Sequence, residues 1–180
     1  MDVPAPTLAA ARAGDMRAYE RIYRLFERPV FTLALRMTGN REDAQDVLQE
    51  TMLKLFARIG DFRGQCPFWG WLRQIAVNEA LMRLRRRARH EDEDALPEDH
   101  AGEAPGTLPP AAADAALLGR ALAHLPPTTR SVLWLYHAEG FTHEEIAAAM
   151  ARSVSFSKSQ LARGTRRLRA LLGLTETTHA

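Results

Sequence analysis

The sequence has a single cysteine, Cys66, so neither an internal disulfide nor a cysteine-built zinc cage is available to it. No apolar run approaches the roughly 18 residues of a membrane span, and the first residues, MDVPAPTLAAARAGD, lack the apolar core of a signal peptide. A soluble, cytoplasmic chain is the resulting expectation. No stretch alternates convincingly as a strand does, and no internal repeat is visible. Neither a glycine-rich phosphate loop nor a nucleophile constellation is present. These absences remove secreted disulfide scaffolds, membrane proteins and the common nucleotide hydrolases. What is there is 180 residues, 46% of them hydrophobic, enough for one medium domain or two small ones.

One segment lacks positive charge altogether. Residues 91–104, EDEDALPEDHAGEA, hold seven acids and no lysine or arginine. On either side the balance reverses, with 16 basic against 10 acidic side chains in residues 1–90 and 8 against 5 in residues 114–180. The net charge of +2 therefore conceals two basic modules around an acidic strip. Clustered positive charge is the footprint of a polyanion partner, and equally of a solvated face. Residues 91–113 also carry Pro97, Pro105, Pro109 and Pro110 and almost no large apolar side chain, so they cannot bury enough surface to offset the entropy of ordering. The expected fold class is all-α. Two small helical domains, residues 1–90 and 114–180, are joined by a flexible acidic, proline-rich linker at 91–113.

Helical periodicity organises both modules. Tyr19, Ile22, Tyr23 and Phe26 recur at spacings of three and four, and Pro29 and Thr38-Gly39-Asn40 punctuate the helices that follow. From Glu42 to Ile59, the stripe Ala44, Val47, Leu48, Met52, Leu55, Ile59 faces inward, with Asp43, Asp46, Gln49 and Glu50 opposite. The turn FRGQCP leads into a helix from about Phe68 to Arg89. Phe68, Trp71, Leu72, Ile75 and Met82 share one face there, while Trp69, Arg73, Ala80, Arg83 and Arg87 fall on the other. Trp71 reads as core. Trp69, on the arginine side, is not readily explained by burial within this module, and Asn78 sits at the stripe's edge, open to a structural or a functional role.

The second module reads as four helices. The first ends at HLPP and the second, TTRSVLWLYHAEG, stops at Gly140. The third, FTHEEIAAAM, carries Thr142 and Glu145 at capping-box spacing. After the turn ARS, a basic helix spans about Val154 to Leu172, with six basic residues and no acid in positions 150–170. Val154, Leu161, Leu168, Leu171 and Leu172 face inward; Ser155, Phe156, Ser159, Arg163 and Arg166 face outward. A short helix, a tight turn and a longer basic helix form a helix-turn-helix whose last helix suits the major groove.

Taken together, GDMRAYERIY, DAQDVLQETM and FRGQCPFWGWLRQIAVN with its trailing arginines, followed by LPPTTRSVLWL, EGFTHEEIAAAM and SKSQLARGTRRLR, resemble an extracytoplasmic-function sigma factor of the sigma-70 family. The resemblance covers about residues 14–90 (region two) and 114–172 (region four). It implies a protein without enzymatic activity, cofactor or metal that binds core RNA polymerase and promoter DNA and initiates transcription, and it admits an anti-sigma factor as a further partner. By the same resemblance, Asp46, Gln49 and Glu50 dock on the polymerase. Arg63, Gln65, Phe68, Trp69, Arg73, Asn78, Arg83 and Arg87 serve the −10 element, with Phe68 also open to a core role. Ser155, Phe156, Lys158, Ser159, Gln160, Arg163, Arg166 and Arg167 serve the −35 element. The composition suits this, because aromatic faces capture unstacked bases at about 1–3 kcal/mol each and arginines hold phosphates.

The chain departs from the family pattern in its last basic helix. Ser155, Phe156 and Ser157 stand where glycine, threonine and valine are usual, Gln160 replaces arginine, and Ala151 and Gly164 replace a glycine and an alanine. An atypical −35 sequence is the expectation. Two other readings compete. Asp43, Asp46 and Glu50 lie close enough on one helix to suggest a nuclease-like divalent metal site. A stand-alone helix-turn-helix regulator would need no polymerase. The HEEIA at His143 is not a zincin, since Ala147 stands where the second histidine belongs.

Overall fold

The computed structural model describes residues 2–93 and 110–173, and side chains at 2–87 and 116–173. All of the regular structure among these residues is helical. The chain divides into two compact units, Met1–Ala88 and Arg89–Ala180. Most of the linker expected at 91–113 falls on residues 94–109, outside the described residues; at its margins, helix persists to Glu93 and resumes at Pro110.

The first unit contains α1 (Ala5–Arg12), α2 (Met16–Thr38), α3 (Arg41–Arg58), a 3-10 turn (Ile59–Asp61) and α4 (Phe68–Glu93). The side chain of Asp15 caps α2 by accepting from the Arg17 amide at 2.8 Å. Gly39 ends the helix in the left-handed region, φ 71°, its N–H reaching the Leu35 carbonyl at 2.8 Å. Asn40 then caps α3 through the Glu42 and Asp43 amides. Pro29 does not punctuate anything: it lies inside the 23-residue helix α2. Proline there removes one intrahelical bond, to the Leu25 carbonyl, at a cost of about 3 kcal/mol. Its neighbours Phe26 and Val30 are fully buried, and each buried side chain of that kind contributes about 1.5–3 kcal/mol, which holds the helix across the defect.

Helix α3 buries Ala44, Val47, Met52 and Leu55, as its periodicity predicts, but leaves Leu48 half-buried, and Ile59 follows them from the 3-10 turn. The buried arc of α4 is wider than the sequence stripe. Besides Phe68, Leu72 and Ile75 it includes Ala76, Val77, Ala80 and Leu81, so Ala80 belongs to the core and not to the polar side, while Trp71 and Met82, expected on the inward stripe, are only half-buried. The reason is packing: α4 meets α2 through Phe26–Phe68 and α3 through ion pairs, and a helix set against two neighbours hides more than one face. Helix α1 has no counterpart in the sequence reading. Its alanine-rich run shows little amphipathic contrast, yet Ala11 is fully buried where α1 packs on α2 and the 3-10 turn.

The second unit contains α5 (Pro110–Ala123), α6 (Pro127–His137), α7 (His143–Met150) and α8 (Val154–Leu171). Both halves of the expected capping box are present, Thr142 Oγ1 accepting from the Glu145 amide and Glu145 Oε2 from the Thr142 amide. Leu122, Leu125 and Leu133 form a buried cluster against which Trp134, Leu161 and Leu168 pack. The inward line of α8 runs Val154, Ser157, Leu161, Gly164, Leu168, with Ser157 and Gly164 buried and the leucines half-buried. Leu171, expected inward, is 43% exposed. The helix comes close to α6 because its inward line contains small residues. A Cβ on Gly164 would lie 2.6 Å from Thr129 Cγ2 and 2.8 Å from Leu133 Cδ1.

Two substitutions should therefore act in opposite directions. Gly164→Ala is expected to destabilise this unit by about 1–3 kcal/mol through overpacking. Ala151→Gly is expected to stabilise it by about 1 kcal/mol, because Ala151 sits at φ 52°, where a Cβ is disfavoured. Urea unfolding followed by the fluorescence of Trp134, with Trp69 and Trp71 replaced by phenylalanine, reads both; changes of the same sign would contradict this account.

Candidate nucleic-acid interface

Two surfaces gather the basic and aromatic side chains, one in each unit. In the first, Phe62 is buried and anchors a loop whose next five residues, Arg63, Gly64, Gln65, Cys66 and Pro67, are all exposed. Gly64 turns the chain at φ 72°. Phe68, the first residue of α4, has no exposed surface. It packs on Phe26, Phe62 and Trp71 with ring centroids 5.1–5.6 Å apart, so it belongs to the core and cannot present a face to a base. Trp69 and Trp71 are both half-buried. Trp69 lies parallel to Phe26 at 5.9 Å with an interplanar angle of 4°, so contrary to the sequence reading its burial within the unit is partly explained. Arg73 is half-buried one turn further on, and Asn78 is exposed.

Asp43 overturns its sequence assignment. Expected on the solvent side of α3, it is 5% exposed. It sits at the edge of the apolar stripe, beside Ala44 and one turn from Val47, where α4 crosses. Arg83 Nε donates to Asp43 Oδ1 at 2.6 Å, Arg87 Nη1 to Asp43 Oδ2 at 3.3 Å, and Arg83 Nη2 pairs with Asp46 Oδ2 at 2.9 Å. The hydrogen bond that Arg83 donates to Asp43 raises the pKa of its guanidinium further, with the charges of Asp43, Asp46 and Glu42 adding to it against the cost of burial. Both Asp43 oxygens thus serve arginines, which removes the metal-site reading of its best ligand. Arg83 and Arg87, assigned to DNA, are held in the same network as Asp46, assigned to the polymerase. Gln49 and Glu50 are exposed on the same helix. A second pair, Lys54 with the buried Glu79, went unnoticed in the sequence, where nothing local joins residues 25 positions apart.

In the second unit, α7, a turn through Ala151 and α8 make the helix-turn-helix. Ser153 caps α8 by accepting from the Phe156 amide at 3.1 Å. Ser155, Lys158, Ser159, Arg163, Arg166 and Arg167 are exposed. Phe156 and Gln160 are only half-exposed. The Arg152 guanidinium lies 5.5 Å from the Phe156 ring centroid, and Gln160 Oε1 accepts from Thr129 Oγ1 at 2.7 Å. Arg152 precedes the helix and stands outside the −35 assignment, yet it adds to the same positive face. Buried Ser157 lies 3.0 Å from His143 Nδ1, and Tyr136 stacks on His143, tying α8 to α7 and α6. A helix of 18 residues whose exposed cations meet no acid on their own helix can lie along a polyanion groove.

Residues 22–90 match the model of sigma-70 region 2, and residues 115–168 match that of sigma-70 region 4. Over 180 residues the chain is 34% identical to the ECF RNA polymerase sigma factor SigE of Mycolicibacterium smegmatis, covering 95% of this chain and 69% of that protein. It is 34% identical over 177 residues to SigM of Mycobacterium tuberculosis, covering 96% and 86%. Among solved structures, the sigma factor RpoE in complex with the anti-sigma factor NepR from Bartonella quintana superposes with a TM-score of 0.64 at 25% identity, over 88% of this chain and 98% of that one. CnrH in complex with the cytosolic domain of CnrY gives 0.53 at 25%, over 97% and 100%.

Proposed function

The chain belongs to the extracytoplasmic-function branch of the sigma-70 family of RNA polymerase sigma factors, and from that premise we propose how its residues divide the work of promoter-specific initiation. It joins core RNA polymerase and directs it to promoters. It makes and breaks no bond itself, since opening of the duplex can be driven by capture of unstacked bases. None of the described helices is long and apolar enough to cross a membrane, and the protein acts in the cytoplasm, where polymerase and chromosome meet.

The observation that carries this reading is the pairing, in one chain and in this order, of an exposed loop with Arg63 and Gln65 beside the half-exposed Trp69, and an acid-free helix-turn-helix helix. Arg63, Gln65, Trp69, Arg73 and Asn78 receive the unpaired −10 strand. Gln49 and Glu50 meet the polymerase, joined by Asp46 through its pair with Arg83. Arg83 and Arg87 shape that surface more than they touch DNA. Lys158, Arg166 and Arg167 grip the −35 backbone, while Ser155, Ser159 and Arg163 reach base edges beside Phe156 and Gln160. An anti-sigma factor is a further partner, as the Bartonella protein is found with one. Footprinting tests the reading against a stand-alone regulator. Protection of promoter DNA is expected only with core polymerase present; protection by the chain alone would favour the regulator.

The −35 assignment has its own expected result. Thr129 holds one end of the Gln160 amide, which fixes what the other end offers to a base. In a randomised −35 library, Gln160→Arg should move preference at one position by about 1–3 kcal/mol, and Thr129→Val should blunt preference at that same position. Lys158→Ala should weaken all sequences alike and lower the salt slope by about one. Unchanged preference at that position in both Gln160→Arg and Thr129→Val would remove Gln160 from the readout.

A further inference from the structure

We propose that the segment before residue 13 is a strap that sets the −10-reading loop, with Asp2 and Arg12 as positioning residues for promoter opening. The inference rests on the reading of the loop given above. The segment lies ahead of residue 22, where the match to region 2 begins. Two of its polar side chains, Arg12 and Asp2, reach the two ends of the exposed loop. Arg12 donates Nε to the Ile59 carbonyl at 3.4 Å and Nη2 to the carbonyl of Phe62, the last buried residue before the loop. Asp2 Oδ1 accepts from the amide of Phe68, the first residue after it, at 3.3 Å, and from the Val3 amide at 2.9 Å.

Between these ties the chain has little else to define it. Among the described residues, no backbone hydrogen bond joins residues 63–66 to the rest of the unit, and their side chains are exposed. The Phe68 amide is one of the orphan donors at the start of α4, so a carboxylate there both satisfies it and suits the helix dipole. The strap is itself seated: Val3 and Ala11 are buried, and α1 packs on α2 and on the 3-10 turn. Residues separated by 50 and 66 positions in sequence therefore fix where the loop leaves the core and where it returns. A loop held in its receiving shape loses less freedom when it captures a base, and the gain appears as discrimination between bases.

The test uses holoenzyme reconstituted with Asp2→Ala, Arg12→Ala, Arg12→Lys or the double alanine variant. Initiation is compared on templates carrying single substitutions in the −10 or the −35 element. The double variant should lose about tenfold of its discrimination between preferred and substituted −10 bases and none at −35. Arg12→Lys, which can still reach the Phe62 carbonyl, should recover part of the loss. A merely structural strap would lower initiation on every template together, and that result, or undiminished −10 discrimination, overturns the proposal. Arg63→Ala and Gln65→Ala separate the two levels of inference. If they erase −10 discrimination while the strap variants keep it, the strap alone falls; if they too leave it intact, the loop reading falls and takes the strap with it.

Discussion

Phe68→Ala is expected to cost the N-terminal unit about 3–5 kcal/mol, whereas Trp69→Ala, one residue on, should leave it folded and weaken its grip on single-stranded DNA. The two rings begin the same helix but face different surroundings. Phe68 is fully buried among Phe26, Phe62 and Trp71, so truncation leaves a cavity lined by three aromatic rings. Small domains have only about 5–15 kcal/mol of stability, so much of it would be lost. Trp69 has one face on Phe26 and remains half-exposed. Its loss should remove about 1–3 kcal/mol of stacking from the affinity of holoenzyme for a −10 oligonucleotide. Urea unfolding and oligonucleotide competition read the two effects separately. Wild-type stability in Phe68→Ala would show that the core has been misplaced.

Asp43→Ala should be the second large effect, about 2–3 kcal/mol of stability. Removing one partner of a buried pair leaves the other charges uncompensated, which costs about 3–5 kcal/mol when all are enclosed. Here the side chains of Arg83 and Arg87 are 37% and 33% exposed, and water will recover part of the loss. The exposed pairs Arg24–Glu20 and Arg58–Asp61 are worth well under about 1 kcal/mol by comparison, and less in salt. A double-mutant cycle of Asp43→Ala with Arg83→Ala should give a coupling energy of about 1–3 kcal/mol. Because Arg83 also holds Asp46, the same substitution should weaken core-polymerase binding. Additive single effects and an unchanged polymerase affinity would mean that the network is only incidental.

What the sequence made legible were features with local causes. The capping box at Thr142 and Glu145, the turn at Gly39 and most of the inward line of α3 each depend on residues within a few positions, and each reads correctly. The errors have tertiary causes. Pro29 looks like a stop until the burial of Phe26 and Val30 on either side is known. Asp43 looks solvated until α4 brings Arg83 and Arg87 across it. The Trp69 ring looks unpartnered on a single helix and finds Phe26 on another. In the last basic helix, periodicity alone placed Arg163 and Arg166 outward, but the bond from Thr129 to Gln160 spans 31 positions and left no local signal. Helix α1 escaped notice for a related reason: an alanine-rich turn announces neither face, and the value of this segment lies in Asp2 and Arg12, whose tertiary partners are 47 or more residues away.

The central claim is tested most directly by in vitro transcription with purified core polymerase and genomic fragments, followed by mapping of RNA 5′ ends. Adding the chain should produce transcripts from a discrete set of start sites that share one −10 and one −35 sequence, at a spacing of about two helical turns. Core polymerase alone should produce none of them. Unchanged transcription on adding the chain, or start sites with no shared sequence upstream, would contradict the account.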